Sequence, residues 1–211
     1  MIVHTVIFDL AGTTIDCGCL AEIDRIQAGV TSTRARRHVD PIPGFLPVLA
    51  NLRAQGIRVG ATVTPPAPPG EILAPALAAA GWRPDVLVFA DEVPSPPPSP
   101  ALNQLAAIRL GAPNVAGCVV VGDTGLDMEA ARNAGMWAVG IAVTGADVGL
   151  PWPDLASLHR DERARLGEAA KQRLEAAGAH VVVDSVADLP IALEILRRPS
   201  MAALKRWQRP R

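Results

Sequence analysis

Three aspartates set the chemistry that this chain could perform. Asp9 ends the apolar run VIF and opens the turn LAGTT; Asp123 and Asp127 lie in VVVGDTGLD, where a second apolar run reaches a Gly-Asp turn and then starts a helix. A carboxylate at such a junction meets solvent or ligand and can serve as a nucleophile. Two or three carboxylates joined by loop carbonyls and water make the all-oxygen set that Mg²⁺ prefers. The segment AGTT adds backbone N–H groups and hydroxyls, at Gly12 and Thr13, suited to cradling phosphate oxygens. Singly, each aspartate reads as a turn former or a helix N-cap. Their occurrence at matching strand ends, in this order along the chain, favours a shared site.

The elements that must bring them together follow from periodicity. Short β-rich apolar runs at 2–9, 57–63, 86–90, 117–123, 136–142 and 180–184 alternate with helical patterns at 44–56, 71–81, 100–111 and 125–135. One or two further helices are expected at 153–178 and a last one at 189–198. Such alternation predicts an α/β fold with a doubly wound parallel sheet. Most of these helical patterns end in glycine, which readily adopts the left-handed stop. In a parallel sheet the C-terminal strand ends share one edge, where ligands bind; Asp9 and Asp123 are expected there together. The proline-rich stretches TPPAPPG (64–70) and PSPPPSP (94–100) are expected as extended loops on that same edge.

Composition bounds the rest. With 211 residues, 49% of them hydrophobic, the chain can bury one core, expected at 1–198, with an insert at 17–39 and a basic tail at 199–211. A net charge of -1 gives no electrostatic reason to expect nucleic acid. The basic run TRARRHVD (33–40) reads as a solvated surface. No apolar run approaches the ~20 residues of a membrane span, and the N-terminus lacks a signal-peptide pattern, so a cytoplasmic protein with no membrane partner is expected. Cys17, Cys19 and Cys118 suggest neither a disulfide framework nor a zinc site.

Together, FDLAGTTID and VVGDTGLDMEAARNAGMWAVG resemble the haloacid dehalogenase superfamily and, within it, the phosphonatase (phosphonoacetaldehyde hydrolase) family. The likeness extends through DPIPGFLPVLANLRAQGIRVGAT, GWRPDVLVFADEVPSP and LEAAGAHVVVDSVADLP. It implies a Rossmannoid core and Mg²⁺-dependent hydrolysis of a carbon–phosphorus bond. By position, Asp9 would be nucleophile and metal ligand, the Ala11 carbonyl a second ligand, Asp123 a third, and Asp127 a metal-site support from the turn below. Ala11, where superfamily phosphatases carry a second aspartate, is a phosphonatase trait.

Four departures from the family pattern shape the expected function. The family's large helical cap is reduced to a short remnant at 17–39. The cap lysine that forms an imine with the aldehyde is absent, the only lysines being Lys171 and Lys205. The phosphate-binding threonine position falls on Val63, flanked by Thr62 and Thr64, which remain the candidate phosphate contacts; the phosphoryl-neutralising arginine position falls on Pro97. The expectation is a phosphonatase-like hydrolase of weakened turnover on a small phosphonate or phosphate. Arg34, Arg36 or Arg37 could replace the missing cation, and a homodimer or partner protein could cover the open site. The alternative is a non-catalytic binding or regulatory protein of the same fold. The stripe Leu20, Ile23 and Ile26 in the insert is expected to pack on the core or on a second subunit.

Overall fold

The computed structural model describes residues 1–16, 39–65, 67 and 70–198. The insert's apolar stripe and its arginines, Cys17 and Cys19, part of the 64–70 loop and the basic tail with Lys205 lie outside the described residues.

Strands β1 (Thr5–Phe8), β2 (Arg58–Val63), β3 (Val86–Phe89), β4 (Cys118–Gly122), β5 (Trp137–Ile141) and β6 (Val181–Val183) form one sheet in the order β3-β2-β1-β4-β5-β6. Every pairing is parallel. From β1 the chain winds outward to β3, returns to lay β4 against the free side of β1, and winds outward again to β6. The reversal lies between β1 and β4, where Phe8 pairs with Val121. A crevice opens beyond the strand ends at such a reversal.

The helices are α1 (Phe45–Ala54), α2 (Gly70–Ala79), α3 (Ala101–Arg109), α4 (Gly125–Asn133), α5 (Trp152–Ser157), α6 (Arg160–Ala176) and α7 (Leu189–Arg197). Strand side chains alternate between the two faces of the sheet, and the two cores show it. Val6 and Phe8 pack with Val59, Val121 and Val139 under Phe45, Leu49, Leu73, Leu77 and Leu193, from α1, α2 and α7. Ile7, Val88, Val120 and Ala138 pack with Leu102, Ala106, Met128, Ala131 and Leu174, from α3, α4 and α6. The sheet is therefore covered on both sides, which is why its strands read as continuous apolar runs. Phe8, the residue before Asp9, is fully buried in an edge-to-face trio with Phe45 and Trp82, at centroid distances of 5.5 and 6.4 Å. The nucleophile candidate thus leaves the sheet from one of its best-packed points.

The sequence pattern overextends some elements. β1 starts at Thr5 rather than at residue 2, because its neighbours start level with it at Arg58 and Cys118; Ile2 is left 83% exposed. The pattern at 153–178 divides into two helices, with Leu158 and His159 extended between them. Among the described residues no helix is long and apolar enough to cross a membrane.

Candidate active site

Asp9 follows β1 directly, and its N–H donates to the Val121 carbonyl at 2.8 Å, so it stands beside Gly122 and Asp123 at the reversal point. The next residues fold into a tight loop. Thr14 and Ile15 donate their N–H groups to the Leu10 carbonyl, Gly12 donates its own to the Ile15 carbonyl, and the Thr14 hydroxyl donates to the carbonyls of Asp9 and Leu10, each at 3.1 Å. Gly12 sits at φ 79, and a Cβ there would lie 2.5 Å from Oδ2 of Asp123. The position therefore needs glycine for both its conformation and the close approach. Gly12→Ala is expected to destabilise the fold by about 1–3 kcal/mol through strain and to displace the Asp123 carboxylate; an unchanged urea midpoint would contradict this.

Asp123 is 1% exposed. Its Oδ1 accepts from the Thr13 hydroxyl at 3.0 Å and its Oδ2 from the Ala146 N–H at 2.6 Å. Asp127 closes a capping box at the start of α4: its Oδ2 accepts the Thr124 N–H at 3.0 Å and the Thr124 hydroxyl at 2.6 Å. That bonding fits a helix cap and a support below the site.

Burial, then the charges of Asp127 and Asp123, hold the Asp9 carboxyl well above the usual range, against only the Leu10 N–H. Burial and Asp127 raise Asp123 to about 7 despite its bonds to Ala146 and Thr13. Burial raises Asp127 as well. Three carboxyls raised by burial, with no basic side chain among the influences on them from the described residues, form a group whose charge a bound cation would neutralise. Mg²⁺ fits that chemistry, with Asp9, the Ala11 carbonyl and Asp123 as the oxygen ligands. Among the described residues no three carboxylate, imidazole or thiol groups are gathered closely enough to hold a metal ion by themselves, so a bound ion would take the Ala11 carbonyl, water or ligand oxygens as well.

The expected phosphate contacts have partners within the protein. The Gly12 N–H donates to the Ile15 carbonyl and the Thr13 hydroxyl to Asp123, so both brace the loop and the carboxylate. The Leu10 N–H is directed at the Asp9 carboxyl, and the Ala11 N–H takes no part in the loop's own backbone bonds. Thr62 is buried with its hydroxyl toward the Phe8 carbonyl at 3.5 Å, a long contact; Val63 points into the core, and Thr64, just past β2, is partly exposed. The loop after β3, PSPPPSP, brings no basic side chain to this edge.

A third strand end contributes what sequence reasoning missed. In the loop after β5, the buried Thr144 donates its hydroxyl to the Gly12 carbonyl at 2.9 Å, and Ala146 holds Asp123. The only sequence signal was a Thr-Gly pair directly after an apolar strand.

Comparison with known proteins agrees with this geometry. A family model described as haloacid dehalogenase-like hydrolase matches residues 21–135. The phosphonoacetaldehyde hydrolase of Nitratidesulfovibrio vulgaris is 44% identical over 151 residues, 72% of this chain and 54% of that protein. That of Klebsiella pneumoniae is 38% identical over 196 residues, 90% of this chain and 71% of that protein. The chain therefore spans only about half the length of the first of these relatives. A solved structure, of a phosphonoacetaldehyde hydrolase-like protein from Oleispira antarctica, superposes with a TM-score of 0.77 at 29% identity, covering 94% of this chain and 95% of that one. These matches, with Asp9 and Asp123 placed at one strand-end crevice, show that the chain belongs to the haloacid dehalogenase-like hydrolase family.

Proposed function

We propose that the protein is a Mg²⁺-dependent hydrolase of a small phosphonate or phosphate, with Asp9 as the nucleophile. The observation that carries this reading is the placement of Asp9 at the sheet's reversal point, beside the Asp123 carboxylate and within electrostatic reach of Asp127. An Asp9 oxygen would attack phosphorus and the leaving group would depart with the electron pair of the broken bond; water would then hydrolyse the aspartyl phosphate. Mg²⁺ held by Asp9, Ala11 and Asp123 would favour ionised Asp9 and offset phosphoryl charge. The Ala11 N–H would orient a phosphoryl oxygen, and the Leu10 N–H would hold the Asp9 carboxylate.

Turnover of phosphonoacetaldehyde, the substrate named in its relatives, is proposed to be weak. Breaking a carbon–phosphorus bond expels a carbanion, and an imine is the electron sink that makes it tolerable. Lys171, the one lysine among the described residues, is a solvated charge on the exposed face of α6. Borohydride added with phosphonoacetaldehyde is expected to trap no specific adduct, and Lys171→Ala to leave turnover unchanged. A stoichiometric reduced adduct on Lys171, lost together with activity in that variant, would reverse the conclusion.

The second reading, a protein that binds the same ligand without turning it over, is favoured by Val63 and Pro97 standing where relatives of the phosphonatase type use a threonine and an arginine, and by Ala11, which offers no acid to protonate an oxygen leaving group. Turnover by purified protein with Mg²⁺ against phosphonoacetaldehyde and a panel of phosphate esters separates the two. Release of phosphate that disappears in Asp9→Asn supports the enzyme; equal signal from both proteins supports the binding module.

A further inference from the structure

Three of the polar contacts described above close into a ring. The Thr144 hydroxyl donates to the Gly12 carbonyl at 2.9 Å, and one residue on, the Thr13 hydroxyl donates to Oδ1 of Asp123 at 3.0 Å. Oδ2 of Asp123 accepts the Ala146 N–H at 2.6 Å, and Ala146 is two residues from Thr144. The ring links the loops after β1, β4 and β5. It lies against the one segment that carries both Asp9 and the Ala11 carbonyl. Thr13, Thr144 and Asp123 are all buried, at 0, 4 and 1% exposure, so water cannot readily substitute for a lost bond. Space around the ring is equally tight: a Cβ on Gly145 would come within 2.7 Å of the Asp123 Cβ. Farther along, the Trp152 N–H donates to Oδ2 of Asp16 at 2.6 Å, tying the same β5–α5 connection to the far end of the Asp9 loop.

From this ring we infer that Thr144 is a positioning residue for the cation site, a role that rests on the proposed Mg²⁺-dependent reading. It touches neither the ion nor the phosphoryl group. Its hydroxyl fixes the Gly12–Thr13 peptide, and that peptide sets the Ala11 carbonyl relative to the Asp123 carboxylate. Both Asp123 oxygens are held by neutral donors, so the carboxylate's rotation is fixed before an ion arrives, and each oxygen keeps a further lone pair for it. Groups that orient ligands in this way commonly change metal affinity by tenfold or more when removed.

Calorimetric titration with Mg²⁺ alone, on the full chain, tests the inference. Thr144→Val keeps the side chain's shape and replaces the hydroxyl with a methyl; it is expected to weaken Mg²⁺ binding by about tenfold or more. Thr144→Ser, which keeps the hydroxyl, is expected to stay within about twofold of wild type. Where phosphate release is measurable, Thr144→Val is expected to lower kcat at subsaturating Mg²⁺ and to recover most of it when Mg²⁺ is raised, which a general loss of fold would not do. Wild-type protein supplies a check independent of any variant: Mg²⁺ is expected to slow amide exchange at Ala146 and Gly12. Binding that is lost in Asp123→Asn but unchanged in Thr144→Val would overturn the inference and leave the proposed function standing, as would exchange at Ala146 and Gly12 indifferent to Mg²⁺. Wild-type protein that binds no Mg²⁺ would overturn both.

Discussion

Asp9→Asn is expected to reduce phosphate release to background, a loss of about four orders of magnitude or more wherever wild-type turnover is large enough to show it. The amide keeps the size of the carboxyl but cannot attack phosphorus. Loss of fold will not account for the result, because metal-free stability should not fall. The substituted group is one that burial and the charges of Asp127 and Asp123 already hold toward its protonated, neutral form, and a neutral amide removes that repulsion. The expected signature is therefore paired: activity gone, metal-free urea midpoint equal or higher. The same variant should lose most of the stabilisation that Mg²⁺ gives wild type, which amounts to about 2.7 kcal/mol when the free ion is at 100 times its dissociation constant. Residual phosphate release at the wild-type rate would remove Asp9 from the mechanism altogether.

The second large effect is a dependence of stability on pH that Mg²⁺ changes. Asp123 has a folded pKa of about 7 against an ordinary value of 3.8, so between those values the folded state binds more protons than the unfolded chain. Stability from this group is fully present below about 3.8, declines as pH rises, and is gone above about 7. Asp9 and Asp127, both raised, push in the same direction. Glu92, lowered mainly by its bond to Arg109, acts oppositely, but that pair lies at the surface where solvent screens it. Without metal, the unfolding free energy measured in urea is expected to fall between pH 4.5 and 8, by an amount on the order of a few kcal/mol. Saturating Mg²⁺ replaces the protons as the neutralising charge, so it should flatten or invert that slope, and Asp123→Asn should flatten it without metal. A metal-free midpoint that rises over this interval would show that the three carboxylates are not the linked group described.

How much of this was legible from sequence follows the range of the interactions involved. The six strands could be read because each is an apolar run between two helical layers, a property carried by three to six neighbouring residues. Asp9 and Asp123 could be paired because a parallel sheet puts strand ends on one edge whatever the details. The break between α5 and α6 could not, since the charged pattern runs on through Leu158 and His159 while the backbone does not. Nor could the fate of individual donors. Gly12 and Thr13 read as candidate phosphate contacts, but the partner Thr13 takes here depends on an atom more than 100 residues away. Thr144 carries only the weak signal of a Thr-Gly pair after a strand; its importance arises from a carbonyl 132 residues distant. Periodicity reports burial and edge position, whereas the pairing of polar groups is decided by tertiary approach.

The stem of the insert has a consequence for how such chains can vary. The Asp16 N–H donates to the Asp40 carbonyl at 2.9 Å, Ile42 donates to the Thr14 carbonyl, and Ile15 bridges Pro41, so the core is sutured shut at the point where the intervening residues leave and return. Anything placed between positions 16 and 40 is a branch whose two ends leave and re-enter the core at adjacent points. The entropic penalty for lengthening such a branch grows only logarithmically, by about 0.6 kcal/mol per doubling. The fold can therefore host branches of very different sizes, or exchange one for another, as a rootstock accepts a graft, while the strand ends that hold Asp9 and Asp123 keep their register.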